Sequence, residues 1–138
     1  MQMEWSDGKK RCCWANPKNE RYIRYHDEEW GVPVFDDGKL LEMLVLECFQ
    51  AGLSWECVLN KREAFREAFD GFDLEAVCAY GEDKLEALVH DPGIIRNRLK
   101  IQAAVTNARC FVKYRGNMAA LPGISGTGLR EKWSTKPG

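Results

Sequence analysis

The sequence of 138 residues lacks a large net charge of either sign and any long apolar run. Its 20 Lys and Arg residues nearly balance its 21 Asp and Glu residues, for a formal net charge of −1. The chain therefore has no overall basic field, and any contact with nucleic acid must come from a local patch. No segment approaches the roughly 18 apolar residues of a membrane span. The N-terminus shows no charged region followed by an apolar run, so we expect a cytoplasmic protein without a secretory signal.

What is present is typical of one globular domain. The hydrophobic fraction is 45% and the charged fraction 30%, which excludes a disordered chain. There are six cysteines, which in a cytosolic protein are expected as core thiols or metal ligands rather than as disulfides. They are Cys12, Cys13, Cys48, Cys57, Cys78 and Cys110.

The chain divides into three parts by composition. Residues 1–35 are rich in aromatic and polar side chains and show no alternation typical of strands, so we expect irregular structure there. Residues 36–114 are predicted to be helical, and the class is therefore all-α. Residues 115–138 contain five glycines and two prolines in no period, and are predicted to form a disordered tail after a single domain over 1–114. The predicted helices are 39–50, 55–69, 74–79, 82–90 and 97–114.

We expect the first of these helices to be central, because its apolar stripe, which includes Leu40, Leu44 and Cys48, covers most of its circumference. Ser54 is the expected N-cap of the second, and a helical period marks the last through Ile101, Ala104, Val105 and Ala108.

A carboxylate interrupts the apolar stripe of the first long helix. Glu47 lies within about 40° of Leu40 and Met43 on a helical projection. A carboxylate on an apolar wall favours a cationic or hydrogen-bond-donating ligand. The alternative is a buried glutamate paired with an arginine, or a glutamate at the edge of the stripe, and spacing alone favours that alternative.

Aromatic side chains are abundant near this helix, namely Trp14, Tyr25, Trp30 and Trp55. Aromatic faces stack on bases and attract cations, which would suit a nucleobase ligand. For any single tryptophan, however, a place in the core is the better interpretation.

Residues 91–100 predict a tight turn between two helices. Gly93 lies in the turn, and Arg96, Arg98 and Lys100 begin the second helix. Backbone N–H groups and cations at such a place suit a phosphate. A solvated basic helix start is an equally good interpretation.

Cys12 and His26 are of the residue types that bind zinc, but a structural zinc site needs four ligands. A hydrogen-bonded histidine in a core or pocket is the commoner role for His26.

Four motifs stand out along the chain, namely RCCW at 11–14, YHDEEWGVP at 25–33, LECFQAGLSW at 46–55 and GIIRNRLKI at 93–101. In this order they closely resemble the motifs of the type I bacterial 3-methyladenine DNA glycosylases. The resemblance covers roughly residues 9–114. It implies a helix-hairpin-helix glycosylase fold and hydrolysis of the N-glycosidic bond of N3-methyladenine in alkylated double-stranded DNA, by a monomer that flips the base into a pocket.

The resemblance also implies roles for individual residues. Glu47 matches the pocket glutamate that binds the flipped base, so we expect a buried carboxylate there, and it is the catalytic candidate. Trp55 matches the stacking tryptophan. Trp14 and Tyr25 match the remaining aromatic wall. Gly52 and Leu53 match the wedge that fills the gap in the duplex, and the turn at Gly93 matches the hairpin that grips the backbone, with Arg96, Arg98 and Lys100 beside it.

The resemblance fails at the C-terminal end. Members of the family are longer, and the missing segment supplies a second histidine and cysteine that complete a structural zinc site with the equivalents of Cys12 and His26. We therefore expect a fold that is incomplete at its C-terminus, half a zinc site and an exposed apolar surface. A frameshift near residue 115 is our hypothesis for the tail, with a truncated fragment or a gene remnant as the alternative. The competing functions are a catalytically inactive DNA-binding helix-hairpin-helix fragment and a decayed product without function.

Overall fold

The computed structural model describes residues 2–120, and the side chains of residues 2–116. It confirms the all-α class, since helices form nearly all of its regular structure. The helices are α1 Glu20–Arg24, α2 Asp37–Phe49, α3 Trp55–Asn60, α4 Arg62–Ala68, α5 Leu74–Cys78, α6 Glu82–Val89 and α7 Arg98–Ala120, with a π-helix at Tyr25–Glu29 and a 3-10 turn at Asp70–Phe72. Within the described residues no helix is long and apolar enough to cross a membrane.

The N-terminal part is more regular than the sequence predicts. Strands β1 Gln2–Glu4 and β2 Lys10–Cys12 form an antiparallel ribbon in which Met3 lies opposite Arg11. Each strand has only three residues, and all three of β1 are exposed, so no alternation could mark them in the sequence. The prediction of wholly irregular structure before residue 36 was therefore wrong.

Helix α2 has one buried face and one exposed face. Asp36 caps its N-terminus by accepting a hydrogen bond from the Lys39 N–H at 2.9 Å. The helix is central, as predicted, but the predicted stripe mixes two faces, because Leu40, Leu44 and Cys48 are exposed. The residues that enter the core are Leu41, Val45, Leu46 and Phe49.

The predicted helix 55–69 is two helices, α3 and α4, which meet at Lys61. Ser54 caps α3 as predicted, since its Oγ accepts from the Cys57 N–H at 3.1 Å. Beyond the break, α4 places Phe65 in the centre of the domain. There its ring packs edge to face against that of Phe49 at the end of α2, with the ring centroids 4.9 Å apart. These rings join the buried side chains of α2, α5, α6 and α7 in one core.

Helices α6 and α7 form the predicted helical hairpin. Asn97 caps α7 by accepting from the Lys100 N–H at 3.1 Å. Ile101, Ala104, Val105 and Ala108 lie in the core as the period predicts. Helix α7 continues to Ala120, beyond the predicted start of a disordered tail at residue 115. The rest of that tail, 121–138, and the frameshift hypothesis lie outside the described residues.

Candidate functional site

Three of the four predicted base-binding residues are aromatic, and the structure brings them together. The ring centroids of Trp14 and Tyr25 are 6.4 Å apart, and those of Tyr25 and Trp55 are 5.4 Å apart. Tyr25 is buried at the centre of this chain of rings, whereas Trp14 is exposed. Trp30 extends the cluster, at 5.3 Å from Trp14. The result is an aromatic surface that is open on the Trp14 side.

A π-helix carries the central residue of this cluster. The Trp30 N–H donates to the Tyr25 carbonyl at 2.9 Å, the i to i+5 bond of that geometry. Such a turn widens the helix by one residue and recurs at functional sites. Trp55 lies at the first position of α3, directly after the Ser54 cap. Its Nε1 is buried and has no hydrogen-bond partner among the described residues.

Glu47 lies on α2, near enough to this cluster for its charge to act on Tyr25. Burial raises the pKa of the Tyr25 hydroxyl, and the nearby negative charge of Glu47 raises it further. Within residues 2–116 the Glu47 carboxylate has neither a hydrogen bond nor an ion pair. It is exposed, however, and the buried pocket carboxylate that we expected at this position is not observed. Leu40 and Leu44, on the same side of the helix, are also exposed, as are Trp14 and Trp30 elsewhere in the described residues.

The glutamate that is buried is Glu42, which the sequence analysis did not single out. It accepts hydrogen bonds from Arg62 Nε and from Arg66 Nη2, the latter at 3.0 Å. The alternative of a buried glutamate paired with an arginine therefore applies to Glu42 and not to Glu47. Because Arg62 and Arg66 lie 20 and 24 residues away along the chain, no local pattern could have identified the pair.

The predicted wedge lies between α2 and the Ser54 cap. Gly52 has a φ of +79°, a conformation that favours glycine, and its loop projects Leu53, whose side chain is exposed. Gln50 Nε2 donates to the Leu53 carbonyl at 2.7 Å, which fixes the loop from inside. An exposed apolar side chain on a fixed loop beside the aromatic cluster is a suitable wedge.

The turn of the helical hairpin is held tightly against α4. A Cβ at Gly93 would lie 3.0 Å from the Ala64 Cβ, so only glycine fits without a shift. The Asp91 carboxylate accepts from the Gly93 N–H at 2.8 Å. Ile94, next in the turn, is buried.

The three predicted cations of the hairpin have different surroundings. Arg96 is exposed, and its guanidinium has no hydrogen bond or ion pair within residues 2–116. Arg98 pairs with Glu86 at 2.5 Å. Lys100 Nζ donates to the carbonyls of Phe49 and Ala51, at 2.9 and 2.7 Å, and so caps the C-terminus of α2. This contact favours a structural role for Lys100 over the predicted phosphate contact.

Cys12 and His26 are adjacent, but they do not form a zinc site. The Cys12 N–H donates to His26 Nε2 at 3.2 Å, and His26 Nδ1 is 2.9 Å from Asp27 Oδ1. Both ring nitrogens are therefore engaged by protein groups. The part of the chain that the structure describes has no group of three or more ligands that could hold a metal, and two ligands do not fit a structural zinc ion. All six cysteines are free and none of them is fully buried, so the expected core thiols are not observed.

Arg11 connects the N-terminal ribbon to the π-helix through hydrogen bonds to Asp27. Its side chain is buried, lies over the Trp5 ring at 4.6 Å, and binds Asp27 through Nε and Nη2 at 2.9 and 2.8 Å. The Arg11 guanidinium, with a smaller effect from His26, holds the pKa of the Asp27 carboxyl well below its ordinary value of 3.8.

Comparisons with known proteins agree with this geometry. The family model described as methyladenine glycosylase matches residues 14–124. DNA-3-methyladenine glycosylase 1 of Escherichia coli (strain K12) is 51% identical over 108 residues, which are 78% of this chain and 57% of that protein.

Solved structures give the same result. A crystal structure of 3-methyladenine DNA glycosylase I is similar with a TM-score of 0.73 and 48% identity, over 78% of this chain and 58% of that chain. A structure that describes 3-methyladenine recognition by the Staphylococcus aureus enzyme has a TM-score of 0.71 and 36% identity, over 74% and 54% of the two chains. The chain thus spans little more than half the length of these relatives.

Proposed function

The chain belongs to the methyladenine glycosylase family, and from that premise we propose that it is a DNA glycosylase that removes N3-methyladenine from alkylated DNA. The observation that carries the proposal is the aromatic cluster with an unpaired carboxylate beside it. Tyr25 links Trp14 to Trp55, and the charge of Glu47 acts on the Tyr25 hydroxyl.

This arrangement suits an alkylated base better than a normal one. An adenine methylated at N3 within a nucleotide is cationic, and aromatic faces attract cations. The Glu47 carboxylate, which has no partner within residues 2–116, accepts a hydrogen bond from the base and complements its positive charge. A neutral adenine would gain the stacking but not the charge pairing, which gives the site its selectivity.

The chemistry requires little acid catalysis. The bond between N9 and C1′ breaks, and its electron pair leaves with the cationic base, which becomes neutral 3-methyladenine. Water adds to C1′ and loses a proton. Because the alkylated base is already a good leaving group, we propose no cofactor for this step. Glu47 is the proposed catalytic residue, since its negative charge, which acts on Tyr25 in the aromatic cluster, would stabilise positive charge on the base and on the sugar.

Access to the base requires that it be flipped out of the duplex. Leu53 on the Gly52 loop is the proposed wedge in the gap. The hairpin turn at Gly93 is the proposed contact with the phosphate backbone, with Arg96 as its free cation and Arg98 as a second, already paired one. Double-stranded alkylated DNA is thus the proposed partner of a cytoplasmic monomer, with Lys100 holding the loop and the hairpin together.

The direct test is release of free 3-methyladenine from methylated duplex DNA by the purified 138-residue chain. Circular dichroism on the same sample establishes that the protein is helical. Release supports the glycosylase. A helical, soluble sample that binds duplex DNA and releases no base would contradict the proposal in favour of the inactive DNA-binding fragment.

A further inference from the structure

One arginine connects the two segments that carry the proposed pocket. Arg62, at the start of α4, donates from Nη1 and Nη2 to the two oxygens of Glu29, at 2.6 and 2.8 Å. Its Nε donates to Glu42. Glu29 ends the π-helix that begins with Tyr25, and Glu42 lies on α2, the helix of Glu47.

The arrangement uses the shape of the guanidinium group. A planar fork can bind one carboxylate through both terminal nitrogens and a second through Nε, whereas the ammonium of lysine has no such fork. The side chain of Arg62 is 11% exposed and that of Glu42 8%, so the ion pair between them is largely shielded from water, and Glu29, which the same guanidinium binds, is more exposed.

We propose that Arg62 is a positioning residue, which binds Glu29 and Glu42 at the same time and thereby fixes Tyr25 relative to Glu47. The importance of that spacing for base binding rests on the proposed function, but the spacing itself does not. The electrostatics agree, because the charges of Glu29 and Arg62 both act on the Tyr25 hydroxyl.

Glu29 offers a way to cut this link without unfolding the domain. Its side chain is 33% exposed, and Glu42 would keep both of its arginines if Glu29 were removed. The matched control is Glu63, whose carboxylate accepts from Arg66 at 2.8 Å in the same network but is 68% exposed and has no bond to the π-helix. Glu29→Ala and Glu63→Ala therefore remove one carboxylate each from the two ends of the network.

The first readout needs no ligand. The chain is labelled with 3-fluorotyrosine, and the ¹⁹F resonance of Tyr25 is assigned by its loss in Tyr25→Phe. We expect Glu29→Ala and Arg62→Lys to shift or broaden this resonance, Glu29→Gln to have a smaller effect because it keeps one acceptor oxygen, and Glu63→Ala to leave it unchanged. An unchanged Tyr25 resonance in folded Glu29→Ala would overturn the proposal, whatever the activity.

The second readout is binding of free 3-methyladenine, followed by tryptophan fluorescence. A pocket displaced by about an ångström binds poorly, so we expect about tenfold weaker affinity for Glu29→Ala and less than about twofold for Glu63→Ala. Weaker binding with an unmoved Tyr25 resonance would mean that Glu29 acts by its charge, which also overturns the proposal. If the wild-type chain binds no 3-methyladenine but the resonance moves, the positioning role is supported and the proposed function fails.

Discussion

Glu42 and Glu47 lie on the same helix, about 140° apart around its axis, and the two faces they define have opposite properties. Glu42 is buried and held by Arg62 and Arg66. Glu47 is exposed, unpaired within residues 2–116, and near the aromatic cluster of Trp14, Tyr25 and Trp55. We name these the Glu42 face and the Glu47 face.

Because Glu42 is paired and Glu47, within the described residues, is not, the charge of Glu42 belongs to the scaffold, and the charge of Glu47 is available to a ligand. A buried carboxylate must be paired, because an unpaired one costs several kcal/mol. An exposed carboxylate without a partner loses little by remaining free, and it gains when a cation arrives. The Glu42 face therefore stabilises the domain, and the Glu47 face is the one that remains available to the proposed ligand.

The largest expected effect on stability is that of removing the charge of Glu42. Glu42→Gln removes the charge between two arginines, of which Arg62 is largely buried, so we expect a loss of about 3 kcal/mol in the free energy of unfolding. Glu47→Gln should change it by less than about 0.5 kcal/mol. Urea denaturation followed by circular dichroism measures both. Equal losses in the two variants would remove the distinction between the faces.

Variants of Trp55 test whether the aromatic cluster beside Glu47 binds the base. Base stacking on an aromatic ring contributes about 1–3 kcal/mol, so Trp55→Ala should weaken binding of free 3-methyladenine by about thirtyfold. Trp55→Phe keeps an aromatic face and should recover part of the affinity, which separates stacking from misfolding. The control is Trp30→Ala at the far, exposed end of the cluster. If the Trp30 variant lost more affinity than the Trp55 variant, the pocket would be misplaced.

The helices could be predicted from the sequence, but the hydrogen bonds between residues distant in the chain could not. The period of Ile101, Ala104 and Ala108 identified α7 because a helix repeats its buried side chain locally. The break at Lys61 carries no glycine or proline, so the pattern of apolar residues ran through it. The bonds of Lys100 to the end of α2 connect residues about 50 apart in the chain, and only the folded structure reveals them.

The site was predicted by resemblance more than by spacing. The motif around Glu47 points to α2, but a helical projection cannot say which side chains of that helix reach the core. For that reason Glu47 was expected to be buried, whereas the buried glutamate of α2 is Glu42. The ribbon of β1 and β2 was missed because strands of three residues carry too few side chains for an alternation.

The same distinction between paired and unpaired groups applies to the hairpin. Arg96 has no hydrogen bond or ion pair within residues 2–116, so Arg96→Ala should weaken binding to all duplexes alike and lower the salt slope of the affinity by about one. Arg98→Ala removes a group already paired with Glu86 and should have the smaller effect. Fluorescence anisotropy over a series of salt concentrations compares them. A loss for Arg96→Ala that is confined to one base sequence would exclude a phosphate contact.

The smallest expected effect concerns Asp27, a second paired carboxylate. Because Arg11 lowers the pKa of Asp27 in the folded state, the unfolded chain takes up the proton first as the pH falls. The stabilisation is present above the ordinary pKa of 3.8 and is lost as the pH falls toward the folded-state value. Unfolding free energies measured from pH 6 downward should therefore fall less steeply in Asp27→Asn. The same slope in both proteins would contradict the pairing.

Single-turnover kinetics test directly whether the Glu47 face binds the base and promotes its release, as proposed. Single-turnover release of 3-methyladenine from methylated duplex DNA is compared between wild type and Glu47→Gln, with the unfolding free energy measured on the same samples. Losing one preorganised charge costs about a hundredfold in such sites, and we expect that loss with unchanged stability. Release by Glu47→Gln at the wild-type rate would contradict the account.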